Sequence, residues 1–414
     1  MKLLLSFSMT IIFMQTGFGQ IKNTPWLEKL LRKEASPLLL NVLNNPDTFR
    51  YQIIYTKIDR DKNNQPKLTN YYLNVDRNRY FNPASMVKMP VAFAALEKLN
   101  QINGGVDKYT AMLTDSSYNK QIAVTKDETS ANGLPSIDHY IKRIFLISDN
   151  DAYNRLYEFD GQKALHESLW NKGYKDVRIL RRFYTDMTLD ENRHTNQIRF
   201  VKDGKTIFTQ PAAYSDVKFD FSKKILMGKG HWDKNDQLVN EPLDFTMQNN
   251  APLEDLQQMM QSVLFPQSVP AKRRFNLTED DYRSLYRYMS EKPSESAFPK
   301  YDTTEYFDSY TKFFFFKDGK QKIPEYIRSF NKTGWSYGFL TDVCYIVDFK
   351  NNVEFMLSGN IYVNSDNILN DNKYEYKEIG YPFFREVGET IYRYELQRKR
   401  AFVPKLGQWK MSYD

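Results

Sequence analysis

Three short groups of residues could together move a proton and hold an anion around one hydroxyl. Ser85 and Lys88 stand three residues apart at the start of a stretch with helical spacing, Met86 to Leu99, whose Val87, Val91, Ala94, Ala95 and Leu99 are apolar. That spacing places both on one helix face, within reach of a hydrogen bond. Serine is a weak nucleophile until a base takes its proton, and a lysine so placed can take it. The helix N-terminus adds positive potential where negative charge develops. Ser148-Asp149-Asn150 follows the apolar run Ile144 to Ile147, and Lys332-Thr333-Gly334 closes a strand-like run. Glycine at that point permits close backbone approach by a ligand. A second hydroxyl and a second lysine around Ser85 could relay a proton and hold an anion. Each triplet alone is commonplace. Their order, each on a fitting element, carries the signal for serine acyl transfer.

Other chemistries find less support. Cys344 is the only cysteine and sits in the apolar run Val343 to Val347, where it reads as a small core residue and leaves no internal disulfide. His139, His166, His194 and His231 lack metal-ligand spacing, so no metal and no cofactor is expected. The net charge of +7 comes from lysines and arginines scattered among acids. The tight basic runs, Lys272 to Arg274 and Arg398 to Arg400, are short, so a solvated surface is expected and no nucleic-acid partner.

The elements that must position these residues can be read in turn. An amphipathic helix is expected over Trp26 to Leu43, then a hairpin of Tyr51 to Ile58 and Tyr71 to Val75 around the turn residues Asp61 to Asn64. From Ser85 to about Arg182 the chain reads as helical, with further helices over Ile137 to Leu146 and Ala152 to Trp170, ended by Gly173. Residues 183–250 are irregular apart from a hairpin over Ile198 to Phe208 turning at Asp203-Gly204. Helices resume over Leu253 to Leu264, after Pro252, and over Thr278 to Met289, where Thr278 and Asp281 form a capping-box pattern. Strands are expected at Phe313 to Phe316, Ile327 to Lys332, Phe339 to Asp348 and Val353 to Val363, then a closing helix over Phe383 to Leu396. Strands at both ends with helices between predict an α+β fold, one sheet built from both termini with a helical lobe inserted. Lys2, the apolar run Leu3 to Phe13 and the small residues Gly17 and Gly19 form the pattern of a leader cleaved after Gly19. That run is shorter than the ~20 residues a membrane span takes, so an exported protein without a stable membrane anchor is expected.

Ser85-Met86-Val87-Lys88, Ser148-Asp149-Asn150 and Lys332-Thr333-Gly334 resemble the three motifs of class A β-lactamases and penicillin-binding proteins. Phe81-Asn82-Pro83-Ala84 before the serine, and Tyr337 to Asp342 leading into an apolar strand, are similar as well. The resemblance covers roughly residues 25–182 and 250–398. It implies a helical lobe on an antiparallel five-stranded sheet, with the site between them. The corresponding division is a sheet lobe of about 25–83 and 305–400, a helical lobe of about 84–304 and an insertion at about 183–250, within a catalytic region of 20–414 that follows a leader of 1–19. The roles it implies are Ser85 as nucleophile, Lys88 as the base that helps deprotonate it, and Ser148 with Lys332 as the relay to the leaving nitrogen. Asn150 would hold the substrate's amide side chain, and Lys332 with Thr333 its carboxylate. The backbone N–H groups of Ser85 and of Trp335, after Gly334, would form the oxyanion hole. The implied partner is a small molecule, a β-lactam or a cell-wall peptide. The oligomeric state is left open, with a monomer favoured.

Two departures matter. The interval from Asn150 to Lys332 is longer than the resemblance implies, and the excess falls within 183–250. Val177 to Arg181 resembles the start of the loop that supplies a deacylating glutamate, yet Phe183 and Tyr184 stand where that glutamate would be. Glu191 is the best substitute, with Asn192 or Asn196 as partner, ahead of Asp186 and Asp190. With such a base the chain would be a β-lactamase that hydrolyses the lactam amide through an acyl-enzyme on Ser85, and this is the favoured reading. Without one the acyl-enzyme would persist, as in a penicillin-binding peptidase or sensor. An esterase acting on other small acyl substrates is a further reading. The insertion, with the segment 197–211, is expected to cover the site as a lid. Lys88 is expected to be buried, with its pKa lowered by desolvation and by the nearby Lys332.

Overall fold

The computed structural model describes residues 21–183 and 186–413. The leader pattern and Tyr184 lie outside the described residues. Five strands form one sheet: β1 (Gln52–Arg60), β2 (Pro66–Leu73), β3 (Ile327–Ser336), β4 (Phe339–Asp348) and β5 (Val353–Tyr362), in the order β3-β4-β5-β1-β2 with every pair antiparallel. The central strands are buried on both faces, so their side chains alternate between two cores. Ile54, Ile58, Phe330, Val343, Tyr345 and Met356 pack toward the helices of the middle of the chain. Ile53, Tyr55, Cys344, Ile346, Phe355 and Leu357 pack toward the terminal helices. The chain is thus α+β in three layers.

The terminal layer holds α1 (Pro25–Lys33) and α2 (Pro37–Asn44) together with a long C-terminal helix, Tyr381–Gln397. The single helix expected over Trp26 to Leu43 is divided. Pro37 lacks an N–H and starts a new helix, whose N-cap Ser36 accepts a hydrogen bond from Leu39 N–H at 3.2 Å. Ser36 Oγ also donates to Glu386 of the C-terminal helix at 2.7 Å. The strand expected at Phe313 to Phe316 does not form. The N–H groups of Phe313 and Phe314 bond the Asp342 carboxylate at 3.0 and 3.2 Å, and Phe315 takes a left-handed φ of 68°. The segment becomes a buried aromatic knot against Phe384.

In the helical layer α3 (Lys88–Leu99) is buried along nearly its whole length. Around it stand α4 (Ile137–Ile147), α5 (Asn150–Asp160), α6 (Gln162–Asn171), α7 (Leu253–Leu264) and α8 (Glu279–Ser290). The helix expected over Ala152 to Trp170 is broken at Gly161, whose φ of 75° ends α5. Thr278 and Asp281 form the capping box of α8.

Within the insertion, Ile198–Lys202 and Lys205–Gln210 form the hairpin, with left-handed Asp203 and Gly204 at its turn. The hairpin adds to a short strand, Ala111–Thr114, that the sequence reading had missed. Further on, Gly230–Trp232 pairs with Leu238–Val239 and, in parallel, with Ile368–Leu369 near the end of the sheet. The insertion is therefore tied to both layers.

A buried ion pair joins β1 to β5. Arg60 Nε and Nη2 each donate to Glu354 at 2.6 Å, and Tyr345 Oη donates to the same carboxylate at 2.7 Å. Removing one partner leaves a buried charge uncompensated. Arg60→Met is accordingly expected to cost about 3–5 kcal/mol of stability, read from urea unfolding. A loss under about 1 kcal/mol would show that the pair does not hold the strands.

Candidate active site

Ser85 lies in a tight turn of 3-10 helix, Ala84–Val87, that feeds directly into α3. Side chains three apart eclipse in such a turn, so Ser85 and Lys88 share a face. Asn82, before Pro83, accepts the Ala84 N–H at 2.8 Å, and Ala84 takes a left-handed φ of 44°. That strained residue directly precedes the nucleophile candidate. Ser85 is half-buried at the edge of a cleft of about 600 Å³.

Gly334 explains how the strand and this turn meet. A Cβ at Gly334 would lie 2.5 Å from Pro83 O, 2.9 Å from Met86 N and 3.0 Å from Ser85 N. All three are backbone atoms and cannot swing aside. The sequence assigned this glycine to close approach by a ligand, whereas the chain's own Ser85 turn fills the space. Gly334→Ala is expected to push the turn off β3, lowering stability by about 1–3 kcal/mol and Ser85 acylation by a larger factor. Thermal unfolding with an acylation assay checks this, and wild-type behaviour in both would refute it.

Lys88 is fully buried and donates to the Ser148 carbonyl, to Asn150 Oδ1 at 2.6 Å and, weakly, to Ser148 Oγ at 3.4 Å. Lys332 donates to Ser148 Oγ at 2.8 Å and to Thr333 O at 2.6 Å. Ser148 caps α4 with a left-handed φ of 61°, and from there it meets both lysines. Among the described residues no hydrogen bond joins Lys88 to Ser85 Oγ. The lysine's donors are taken by Ser148 and Asn150. Burial pushes Lys88 down to about 7, with Asp149 acting weakly the other way. Burial, and then the charge of Lys88, hold Lys332 well below its usual range. The charges of the two lysines disfavour each other, and burial is the larger cause of the lowering at both.

The expected residues are distributed unevenly around the cleft. Ser85, Ser148, Asn150 and Trp335 line it, with Ile147, Arg181, Arg182, Phe183, Gln248, Asn249, Tyr310 and Tyr337 among the other walls. Lys88 and Lys332 lie buried against Ser148, and Gly334 backs the Ser85 turn. Thr333 alternates to the other face of β3, and its buried Oγ1 has no hydrogen-bond partner among the described residues. Glu191 is held elsewhere. Its carboxylate accepts from Asn119 at 2.9 Å, from Thr188 N–H at 2.7 Å and from Lys120 at 3.3 Å, and it does not line the cleft. The Thr188 N–H, then Lys120, hold its pKa below the ordinary value. Asn192 and Asn196 do not partner Glu191. Both bond Arg182, at 2.7 and 3.1 Å. No residue of 197–211 lines the cleft, whereas Phe183, Gln248 and Asn249 of the insertion do.

Sequence reasoning missed what fixes the loop. Arg182 is fully buried and donates to Glu158 of α5 at 2.7 Å, and Arg155 pairs with the same glutamate at 3.0 Å. Tyr153 Oη donates to Arg181 O at 2.7 Å, and Phe183 N–H donates to Asn154 Oδ1 at 2.7 Å. Phe183 is thereby brought over Lys88, with the ring centre 5.0 Å from Nζ. Asn82 had a local signal, an Asx residue before proline. The Arg182–Glu158 pair had none.

A family model described as "Beta-lactamase enzyme family" matches residues 31–217, which hold Ser85, Lys88 and the Ser148 triplet. The resemblance to the serine β-lactamase and penicillin-binding protein superfamily holds. The superfamily match ends before Lys332. No curated protein matches the sequence. Among solved structures, a β-lactamase from Sphaerobacter thermophilus is 12% identical, with 88% of this chain and 98% of that one covered and a TM-score of 0.47. A β-lactamase from Burkholderia vietnamiensis is 12% identical, with coverage of 88% and 98% and a TM-score of 0.45. A variant of PBP-A, as its acyl-enzyme with penicillin G, is 13% identical, with coverage of 89% and 97% and a TM-score of 0.49.

Neutral Lys88 can accept the Ser85 proton, and charged Lys88 cannot. Its pKa of about 7 therefore sets an acid limb: acylation falls as pH drops below about 7 and levels off above it. A pH–rate profile of acylation is the check. Lys88→Arg, which stays charged, is expected to abolish the rise, and an unchanged limb in that variant would exclude Lys88 as the base.

Proposed function

We propose that this chain is a serine hydrolase of the penicillin-recognising type that forms a long-lived acyl-enzyme on Ser85. The observation that carries this reading is the lining of the cleft. Ser85, Ser148 and Asn150 meet there over two buried lysines, yet no carboxylate lines it among the described residues. In the forward step Ser85 Oγ bonds the carbonyl carbon of a lactam or cell-wall peptide. Its proton passes to Lys88, the C–N bond breaks, and Ser148, held by Lys332, gives a proton to the leaving nitrogen while it takes the proton from Lys88, whose Nζ lies 3.4 Å from its Oγ. The ester then needs an activated water. Phe183 is apolar and Glu191 is engaged with Asn119 and Lys120, so neither supplies a base. The proposal includes export, on the leader pattern, and a small-molecule or peptide partner.

Time-resolved mass spectrometry of the purified protein with benzylpenicillin, with Ser85→Ala as control, tests this. The expected result is a Ser85-dependent adduct that outlasts the free penicillin. An adduct that decays while hydrolysed penicillin accumulates would make the chain a turning-over β-lactamase. No adduct at all would remove Ser85 from the role of nucleophile.

A further inference from the structure

The segment 178–182 carries three arginines, and two of them have settled partners. Arg178 donates to Asp220 O at 2.7 Å and lies over the Phe221 ring, with 5.3 Å to its centre. Arg182 is paired with Glu158. Arg181 differs in where it stands: it lines the Ser85 cleft. Among the described residues its guanidinium pairs with no carboxylate and makes a single hydrogen bond, from Nη2 to Met247 O at 3.2 Å, and its Nε is buried without a partner, as is that of Arg178.

The backbone around Arg181 is fixed at three successive residues. Leu180 N–H donates to Asn249 Oδ1 at 2.8 Å, Arg181 O accepts from Tyr153 Oη at 2.7 Å, and Arg182 N–H donates to Asn192 Oδ1 at 2.7 Å. The side chain therefore starts from a rigid base. A guanidinium has five donors in a planar fork that matches a carboxylate, and a buried donor left unpaired is costly. The other charged groups at the site are compensated or depressed. Arg182 is neutralised by Glu158, and burial lowers the pKa of both Lys88 and Lys332. Among the described residues that line the cleft, Arg181 is thus the permanent charge without a carboxylate partner.

Its place in the cleft says which part of a substrate it would meet. Ser148 and Lys332, which serve the leaving nitrogen in the proposed reaction, are joined to β3. The main chain of Arg181 is held to α5 by Tyr153, and its guanidinium lies against Met247 O. Two residues on, Asn154 of α5 holds Phe183 over Lys88. Asn150, the first residue of α5, lines the same cleft.

We infer that Arg181 is a specificity residue that receives a carboxylate on the side chain of the acyl group, so that the preferred acyl donors are anionic on the part retained by Ser85. This rests on the proposed acylation of Ser85 and narrows its substrates to acyl side chains bearing a carboxylate.

Benzylpenicillin and its α-carboxy derivative differ by one such carboxylate and make the test. Wild-type protein is expected to be acylated by the carboxylated compound about tenfold or more faster, in second-order rate constant. Arg181→Ala should bring that ratio close to one, and Arg181→Lys should retain part of it. The same ratio should appear in dissociation constants measured in the Ser85→Ala background, where no ester can form. An unchanged ratio in Arg181→Ala, or an equal loss with both compounds, would overturn the assignment. Absence of an adduct with either compound would refute the acylation reading instead, and the affinity ratio in Ser85→Ala would still decide the role of Arg181.

Discussion

The two layers that carry the site meet where β3 presses backbone to backbone on the Ser85 turn. At Gly334 the approach leaves no room for a single carbon atom, and the atoms in the way belong to the main chain of Pro83, Ser85 and Met86. Close-packed interiors transmit such constraints because they have no slack. The position of Ser85 is therefore set from behind by the sheet. The register of β3 with β4 in turn sets which residues follow. Lys332 and Gly334 face the helical layer, while Thr333 alternates to the other face of β3.

The same arrangement forces two lysines out of water. An ammonium taken from solvent costs several kcal/mol even in a relaxed protein interior. The fold offsets part of this with oxygen acceptors. The Ser148 carbonyl, Ser148 Oγ, Asn150 Oδ1 and Thr333 O all receive lysine hydrogens. Ser148 can serve both lysines because it ends α4 in the left-handed conformation. The remaining penalty lowers both pKa values and brings that of Lys88 to about 7.

The loop over the site follows a different logic. Its anchor is the buried pair Arg182–Glu158, and its tip is the aromatic ring of Phe183. The Phe183 ring over Lys88 provides no base for water. Glu191, the nearest chemical substitute in the sequence, is turned to Asn119, Lys120 and the Thr188 N–H, where it braces a neighbouring loop. One segment thus lines the cleft with Arg181, secures itself with Arg182 and sets the Phe183 ring over the lysine.

The sequence by itself determined the chemistry-bearing triplets, the α+β pattern and most element boundaries, because these depend on local signals. The apolar run Val343 to Val347 marked β4, a capping box marked α8, and Asp203-Gly204 marked a hairpin turn. Local signals failed where a distant partner outweighed them. Phe313 to Phe316 reads as a strand, yet Asp342 captures its N–H groups. Glu191 reads as a free carboxylate, yet Lys120 and Asn119, some seventy residues earlier, hold it. The reason for Gly334, the placement of Thr333 away from the cleft, the pairing of Arg182 with Glu158 and the isolation of Arg181 were all decided by tertiary structure. Each depends on which atoms the fold brings within a few ångströms, and spacing along one chain does not encode that.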